Sequence, residues 1–307
     1  MKIRIAAERV LTQPGRLAAL GRSSVEVDGG LISAVHPAAE RGDGLLIMPA
    51  LVNAHDHGHG LRPFTFGAGD QALEMWLAML PLEPIVDPYL RAATAFGRLA
   101  ASGVAAINHC HSPQRPRELE KEAETISRAA RDVGVRVAFG MPLRDRNHAV
   151  YGSSDALVAA IGEADFGAIM KDEVRASPEE QLDLVEAVSA FEHALFGVQF
   201  SPAGPEWCSD ELLEAIAAAS ERTGRRIHMH LLETHTQREW ADAQYPGGLV
   251  IQRLDEIGSI QNFQAQSGMA AVYAAWRTIA IARLDLRWIC GIRLKKPQRP
   301  AGGRRAP

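Results

Sequence analysis

Five short apolar runs punctuate the chain at residues 50–55, 104–107, 135–139, 195–200 and 227–232, and stretches with helical spacing of apolar residues separate them, at 89–101, 119–133, 178–191 and 209–222. A strand that is apolar at nearly every position needs cover on both faces, and a helix after each strand supplies it. The alternation therefore predicts an α/β fold of parallel β/α units, the texture shared by doubly wound sheets and (β/α)8 barrels. Two helical stretches open with cap chemistry. Ser177-Pro178-Glu179-Glu180 and Ser209-Asp210-Glu211 each place a serine at the N-cap and acids in the first turn.

Two of the runs end in histidine pairs, His55-Asp56-His57 and His228-Met229-His230, and Glu233 follows the second. In a strand, side chains i and i+2 share a face, so each pair offers two imidazoles to one ion. A carboxylate three residues beyond His230 is placed to serve a water activated by that ion.

Ahead of these units, residues 1–47 read as a small β domain. Strands are expected at 2–6, 24–27 and 31–35, with Asp28-Gly29-Gly30 as a hairpin turn. A strand-like run at 45–48 leads through Pro49 into the first apolar run. With 307 residues and 47% hydrophobic content, the chain can bury a large core. It has no stretch of the length and apolarity of a membrane span and no signal-like leader, so a cytoplasmic location and no membrane partner are expected. Cys110, Cys208 and Cys290 are odd in number and widely spaced, which argues against a disulfide framework or a thiolate knuckle and leaves nitrogen and oxygen to hold any metal.

The flanks of the histidine pairs carry a resemblance. Met48-Pro49-Ala50-Leu51-Val52-Asn53-Ala54-His55-Asp56-His57 resembles the opening metal motif of the amidohydrolase superfamily, with Ala50 where that motif usually has glycine. Ile227-His228-Met229-His230-Leu231-Leu232-Glu233-Thr234 resembles the fifth-strand motif of its deaminase and chlorohydrolase branch, which includes cytosine, guanine and S-adenosylhomocysteine deaminases and triazine hydrolases. The stretch from Val198 to Leu212, with Cys208-Ser209 opening a helix, looks like the fourth-strand loop of that branch.

The resemblance implies a TIM-type (β/α)8 barrel with a small N-terminal β-sandwich-like domain. It implies His55, His57 and His230 as ligands of one divalent ion, Zn or Fe, and Glu233 as the proton carrier in hydrolytic removal of an amino group or halide from a small heterocyclic substrate. His228, His109 and His59 are the expected substrate contacts. No lysine lies in the run at 195–200, where two-metal members carry a bridging lysine, and this favours a one-metal site.

The resemblance covers about residues 1–258, with a partial barrel at 48–258, and stops near Gly258. The strand-end histidine and later aspartate that complete such a site have no counterpart, since His235 is the last histidine and Asp285 the only acid beyond Glu256. Residues 277–307 hold nine Arg/Lys and one acid, a local +8, against −12 for residues 1–276, and 297–307 is a Pro/Gly/Arg string. Residues 259–307 are thus expected to be a divergent basic tail without native structure, in a hydrolase chain truncated or frameshifted after Gly258 and impaired in turnover. Two alternatives stand beside this: a short subunit that completes its barrel as a homo-oligomer, and a non-catalytic nucleic-acid or surface binder using the basic segment 287–305, the least favoured of the three.

Overall fold

The computed structural model describes residues 2–13, 18–39, 44–69, 71–146, 149–151, 153–170, 176–246, 250–257, 263–266 and 289–293. The expectation that 297–307 does not fold lies outside these residues. The described residues divide into two compact units, one of residues up to 51 together with 289–293, the other of residues from 52 to 266.

The first unit contains β1 (Lys2–Ala7), β2 (Arg9–Gln13), β3 (Ala18–Leu20), β4 (Ser23–Asp28), β5 (Leu31–Pro37) and β6 (Leu45–Pro49). Antiparallel β1-β4-β5 form one sheet. The turn between β4 and β5 uses Gly29 and Gly30 at φ +58° and +82°, the left-handed backbone that a tight hairpin requires and that glycine adopts without steric cost. A second sheet has the order β13-β6-β2-β3, its last-named partner in chain order being β13 (Ile289–Arg293), antiparallel to β6. Ala7 and Val25 from the first sheet pack with Val10 and Ile47 from the second in one buried cluster, the sandwich-like core expected for this end of the chain.

The second unit is built on a six-stranded sheet in the order β12-β11-β10-β9-β8-β7, formed by β7 (Leu51–Asp56), β8 (Val104–Cys110), β9 (Arg136–Leu143), β10 (Phe196–Pro202), β11 (Ile227–His230) and β12 (Phe263–Gln266). The four pairings from β8 to β12 are parallel. Its helices are α1 (Leu73–Met79), α2 (Pro88–Ala101), α3 (Leu119–Val133), α4 (Asp155–Ile161), α5 (Glu163–Met170), α6 (Pro178–Ser189), α7 (Asp210–Thr223), α8 (His235–Gln244) and α9 (Val250–Glu256). Phe96 of α2, Ile126 of α3, Val185 of α6 and Ile216 of α7 join Phe139, Phe196, Phe200 and Met229 of the strands in one core. The caps form as the sequence indicates: Ser177 and Glu180 make a reciprocal capping box on α6, and Ser209 caps α7.

The sheet is strongly curved. β7 and β11 are four strand spacings apart in the sheet order, about 19 Å if it were flat. Nevertheless, His55 Nδ1 of β7 lies 3.0 Å from His228 Nε2 of β11. The sheet must therefore coil into an arc with these side chains on its concave face, as in a (β/α)8 barrel.

Three features depart from the sequence expectation. β12 and β13 fall within residues 259–307, where no strand was expected; β12 spans four residues, too few to show an alternating pattern, and is defined by its pairing of His230 with Gln266. β11 ends at His230, and Leu232 is the one non-glycine residue among those described with positive φ, at +52°. The chain thus turns sharply before Glu233, at a position where a leucine pays a steric cost of about 1 kcal/mol or more. Finally, α1, α4, α5 and α8 were not legible as helices. No helix among the described residues is long and apolar enough to cross a membrane.

Candidate metal centre

Strand parity decides which polar side chains meet on the concave face. His228 and His230 both point inward, while Met229 between them is buried in the core. On β8, Asn108 and Cys110 turn inward, toward His228 and toward Ser201 of β10 respectively. His109 and His111 turn the other way, against Phe96 of α2 and Glu122 of α3.

At the end of β7, His55 and His57 are fixed by their neighbours. The Asn53 side chain accepts from His55 N and donates to Asp56, and Asp56 Oδ1 accepts from Gly58 N. Gly58 has φ +59°, and a Cβ there would lie 2.3 Å from His109 Cε1. Glycine is thus required both by backbone conformation and by the close approach of the His109 ring.

His55, His57 and His230 converge, with one nitrogen of each within 4.8 Å of the others. The His57 and His230 rings stack at 5.2 Å, and their Nε2 atoms face each other at 3.3 Å. His57 Nδ1 has a second partner pointing away from this contact, Ser112 Oγ at 3.1 Å, and the Ala203 backbone favours a proton on His230. When the ring N–H groups point away from the contact, the facing Nε2 atoms present lone pairs to one another, a repulsion that a bound cation relieves.

Protonation is a poor alternative. Burial, then the positive form of His230 and His55, holds His57 well below its ordinary pKa; burial and His230 lower His55, and burial lowers His230. Neutral imidazoles with outward N–H groups are the form that ligates a divalent ion. The donor set fits one such ion, and three nitrogens suit Zn, Fe and Ni alike.

Glu233 follows the turn at Leu232 and precedes α8, whose N-cap is Thr234. Partial burial raises the Glu233 pKa, the His55 charge opposes that, and Glu74 adds to it. Glu74 of α1 accepts from the hydroxyls of Tyr151 and Thr234 at 3.1 and 2.6 Å.

The other expected contacts are placed differently. His228 is fully buried, with Nε2 against His55 and Nδ1 against Asn108, so both ring nitrogens are engaged within the protein. His109 is 2% exposed, faces away from the concave surface and is not brought to the three histidines; its Nε2 lies 3.3 Å from His111. His59 joins a buried ion network in which Arg91 contacts its Nδ1 at 2.8 Å and Glu83 lies at 3.2 Å. Ser112, Gln199, Glu83 and Arg91 were not identified as contributors, and Asn108 was not singled out within the stretch 108–111. Asn108 and Gln199 could have been found by parity, because each sits inward on a strand beside the histidines. Cys110 and Cys208 are buried and unpaired as thiols.

Over 223 residues the chain is 28% identical to a 5-methylthioadenosine/S-adenosylhomocysteine deaminase of Thermotoga maritima, a match that covers 69% of this chain and 46% of that protein. Among solved structures, an adenosine deaminase of Xanthomonas campestris with bound zinc aligns with a TM-score of 0.64 at 20% identity, over 85% of this chain and 56% of that one. A triazine hydrolase of Arthrobacter aurescens aligns with a TM-score of 0.69 at 17% identity, over 86% of this chain and 60% of that one. The chain thus spans about half the length of the relatives it matches. The structural likenesses agree with the barrel-type fold. The model of the amidohydrolase family matches residues 46–279, and the chain belongs to that family.

Proposed function

We propose that this chain is a metal-dependent hydrolase that removes an amino group from a small aromatic heterocycle, with His55, His57 and His230 holding one divalent ion, Zn or Fe. The observation that carries this reading is the convergence of three neutral histidines, two with facing Nε2 atoms, beside a carboxyl of raised pKa. The deaminases among the relatives support the class of reaction, and halide displacement is the variant chemistry open to the same site.

When bound, a divalent ion supplies the Lewis acidity that makes water a nucleophile near neutral pH. Glu233 takes the proton that the attacking water gives up and delivers it to the ring nitrogen next to the reacting carbon. The hydroxyl of the resulting adduct then gives its remaining proton to the amino group, and the C–N bond breaks as the hydroxyl oxygen becomes the carbonyl of the product and ammonia leaves. A carboxyl pKa raised toward the working pH serves both transfers, since the group must accept and donate in one cycle. Glu74, held by Tyr151 and Thr234, keeps a negative charge near Glu233 and sustains that elevation.

The test is ammonia release from a panel of aminated purines, pyrimidines and triazines by zinc-loaded protein, beside chloride release from chlorinated triazines. The expected result is metal-dependent release that falls by orders of magnitude in Glu233→Gln while metal content is unchanged. Equal rates of release in wild type and Glu233→Gln would overturn the reading. A cytoplasmic location and a small-molecule substrate belong to the same proposal.

A further inference from the structure

A buried chain of hydrogen bonds runs across the concave face and ends on one of the three converging histidines. The Gln199 amide of β10 donates to Asn108 Oδ1 of β8. Asn108 Nδ2 lies 3.0 Å from His228 Nδ1, and His228 Nε2 lies 3.0 Å from His55 Nδ1. Gln199 is 5% exposed, Asn108 8% and His228 0%. The four side chains come from four different strands, and only the coiling of the sheet brings them into line.

The direction of this chain has a chemical consequence. Read from Gln199, Asn108 donates to His228 Nδ1, and the His228 Nε2–H donates to His55 Nδ1. A neutral His55 then carries its proton on Nε2, and in that form it offers no lone pair to an ion. In the opposite direction, His55 Nδ1–H donates to His228 Nε2, and His228 Nδ1–H donates to an amide oxygen of Asn108. Asn108 in turn donates to the Gln199 oxygen. Both primary amides turn over, yet no member loses its partner along the chain, because amides and neutral imidazoles each carry a donor and an acceptor.

We propose that Gln199, Asn108 and His228 form a relay that sets the tautomer of His55, and that the relay reverses when a divalent ion occupies the site. His228 is on this account a positioning residue, neither a ligand nor a substrate contact. The inference rests on the metal site proposed above and adds what holds it: Ser112 orients His57, and the relay does the same for His55.

The experiment is a Co2+ titration in competition with a chelator, which reads affinity and the visible spectrum of the bound ion together. His228→Leu breaks the relay, and removal of such an orienting partner is expected to weaken Co2+ binding ~10–100-fold and to change the spectrum. His228→Gln keeps a donor and an acceptor between Asn108 and His55, and should restore affinity to near wild type. Asn108→Asp leaves an acceptor only, which locks the relay in the ion-binding direction, and should tighten binding.

Melting of the metal-free proteins identifies any variant that fails to fold, and Asn108→Asp carries the test if His228→Leu is such a variant. Wild-type affinity and spectrum in folded His228→Leu, or weaker binding in folded Asn108→Asp, would overturn the relay. The metal-site reading fails separately, if wild type and His57→Ala bind Co2+ alike or neither binds it; the relay then falls with it.

Discussion

Glu206 gives the sharpest test of the energetics. It lies in the loop after β10, 2% exposed, with Oε1 lacking a hydrogen-bond partner. Burial, reinforced by the negative charges of Glu233 and Glu74, pushes its pKa up from an ordinary 4.5 to about 8. The unfolded chain therefore releases this proton near pH 4.5 and the folded chain near pH 8. Between those values the folded state holds more protons, so stability falls as pH rises through the interval and levels off above it. At about 1.4 kcal/mol per pH unit, the cost accumulated by pH 8 is on the order of 4 kcal/mol. Glu206→Gln removes the ionisation and keeps the shape. Urea unfolding of metal-free wild type and variant at pH 5, 6.5 and 8 measures the difference. The variant should match wild type near pH 5 and exceed it by a few kcal/mol at pH 8. A difference that is constant with pH, or one that favours wild type more as pH rises, would refute the assignment of a buried neutral carboxyl.

Two further outcomes follow from local geometry. Gly58→Ala must place a Cβ 2.3 Å from His109 Cε1 at φ +59°, and should cost about 2 kcal/mol or more and weaken metal binding by displacing His57; wild-type melting and metal affinity in the variant would contradict this. Ser177→Ala removes one half of the capping box on α6 and should lower unfolding free energy by about 1 kcal/mol with no effect on the metal site; a change in metal affinity would count against the independence of the two.

Parity explains both what the sequence disclosed and what it concealed. The convergence of His55, His57 and His230 was legible because an i, i+2 pair at a strand end puts both side chains on one face, although only His230 of the second pair joins the group. His109 was misjudged for the same geometric reason: the run Asn108-His109-Cys110-His111 contains two faces, and the histidines lie on the outer one against Phe96 and Glu122. Reading the alternation through would have selected Asn108. The partners of His59 were out of reach of any local pattern, since Glu83 and Arg91 lie 24 and 32 residues away and meet it only after α2 docks. The left-handed turn at Leu232 is equally hidden, because leucine gives no signal for it and the constraint comes from the surrounding fold. The short β12 shows a different limit: Phe263-Gln264-Ala265-Gln266 alternates, but over four residues the pattern does not stand out, and pairing with β11 decides their conformation.

The central claim is that three histidines from two strand ends form one metal site. Equilibrium dialysis against Zn2+, followed by metal analysis, measures it directly in wild type, His57→Ala, His230→Ala and, as a control from outside the site, His193→Ala. The account predicts one zinc per chain in wild type and in His193→Ala, and loss of that zinc in the other two variants. Zinc retained at the same stoichiometry and affinity in His57→Ala and His230→Ala would contradict it.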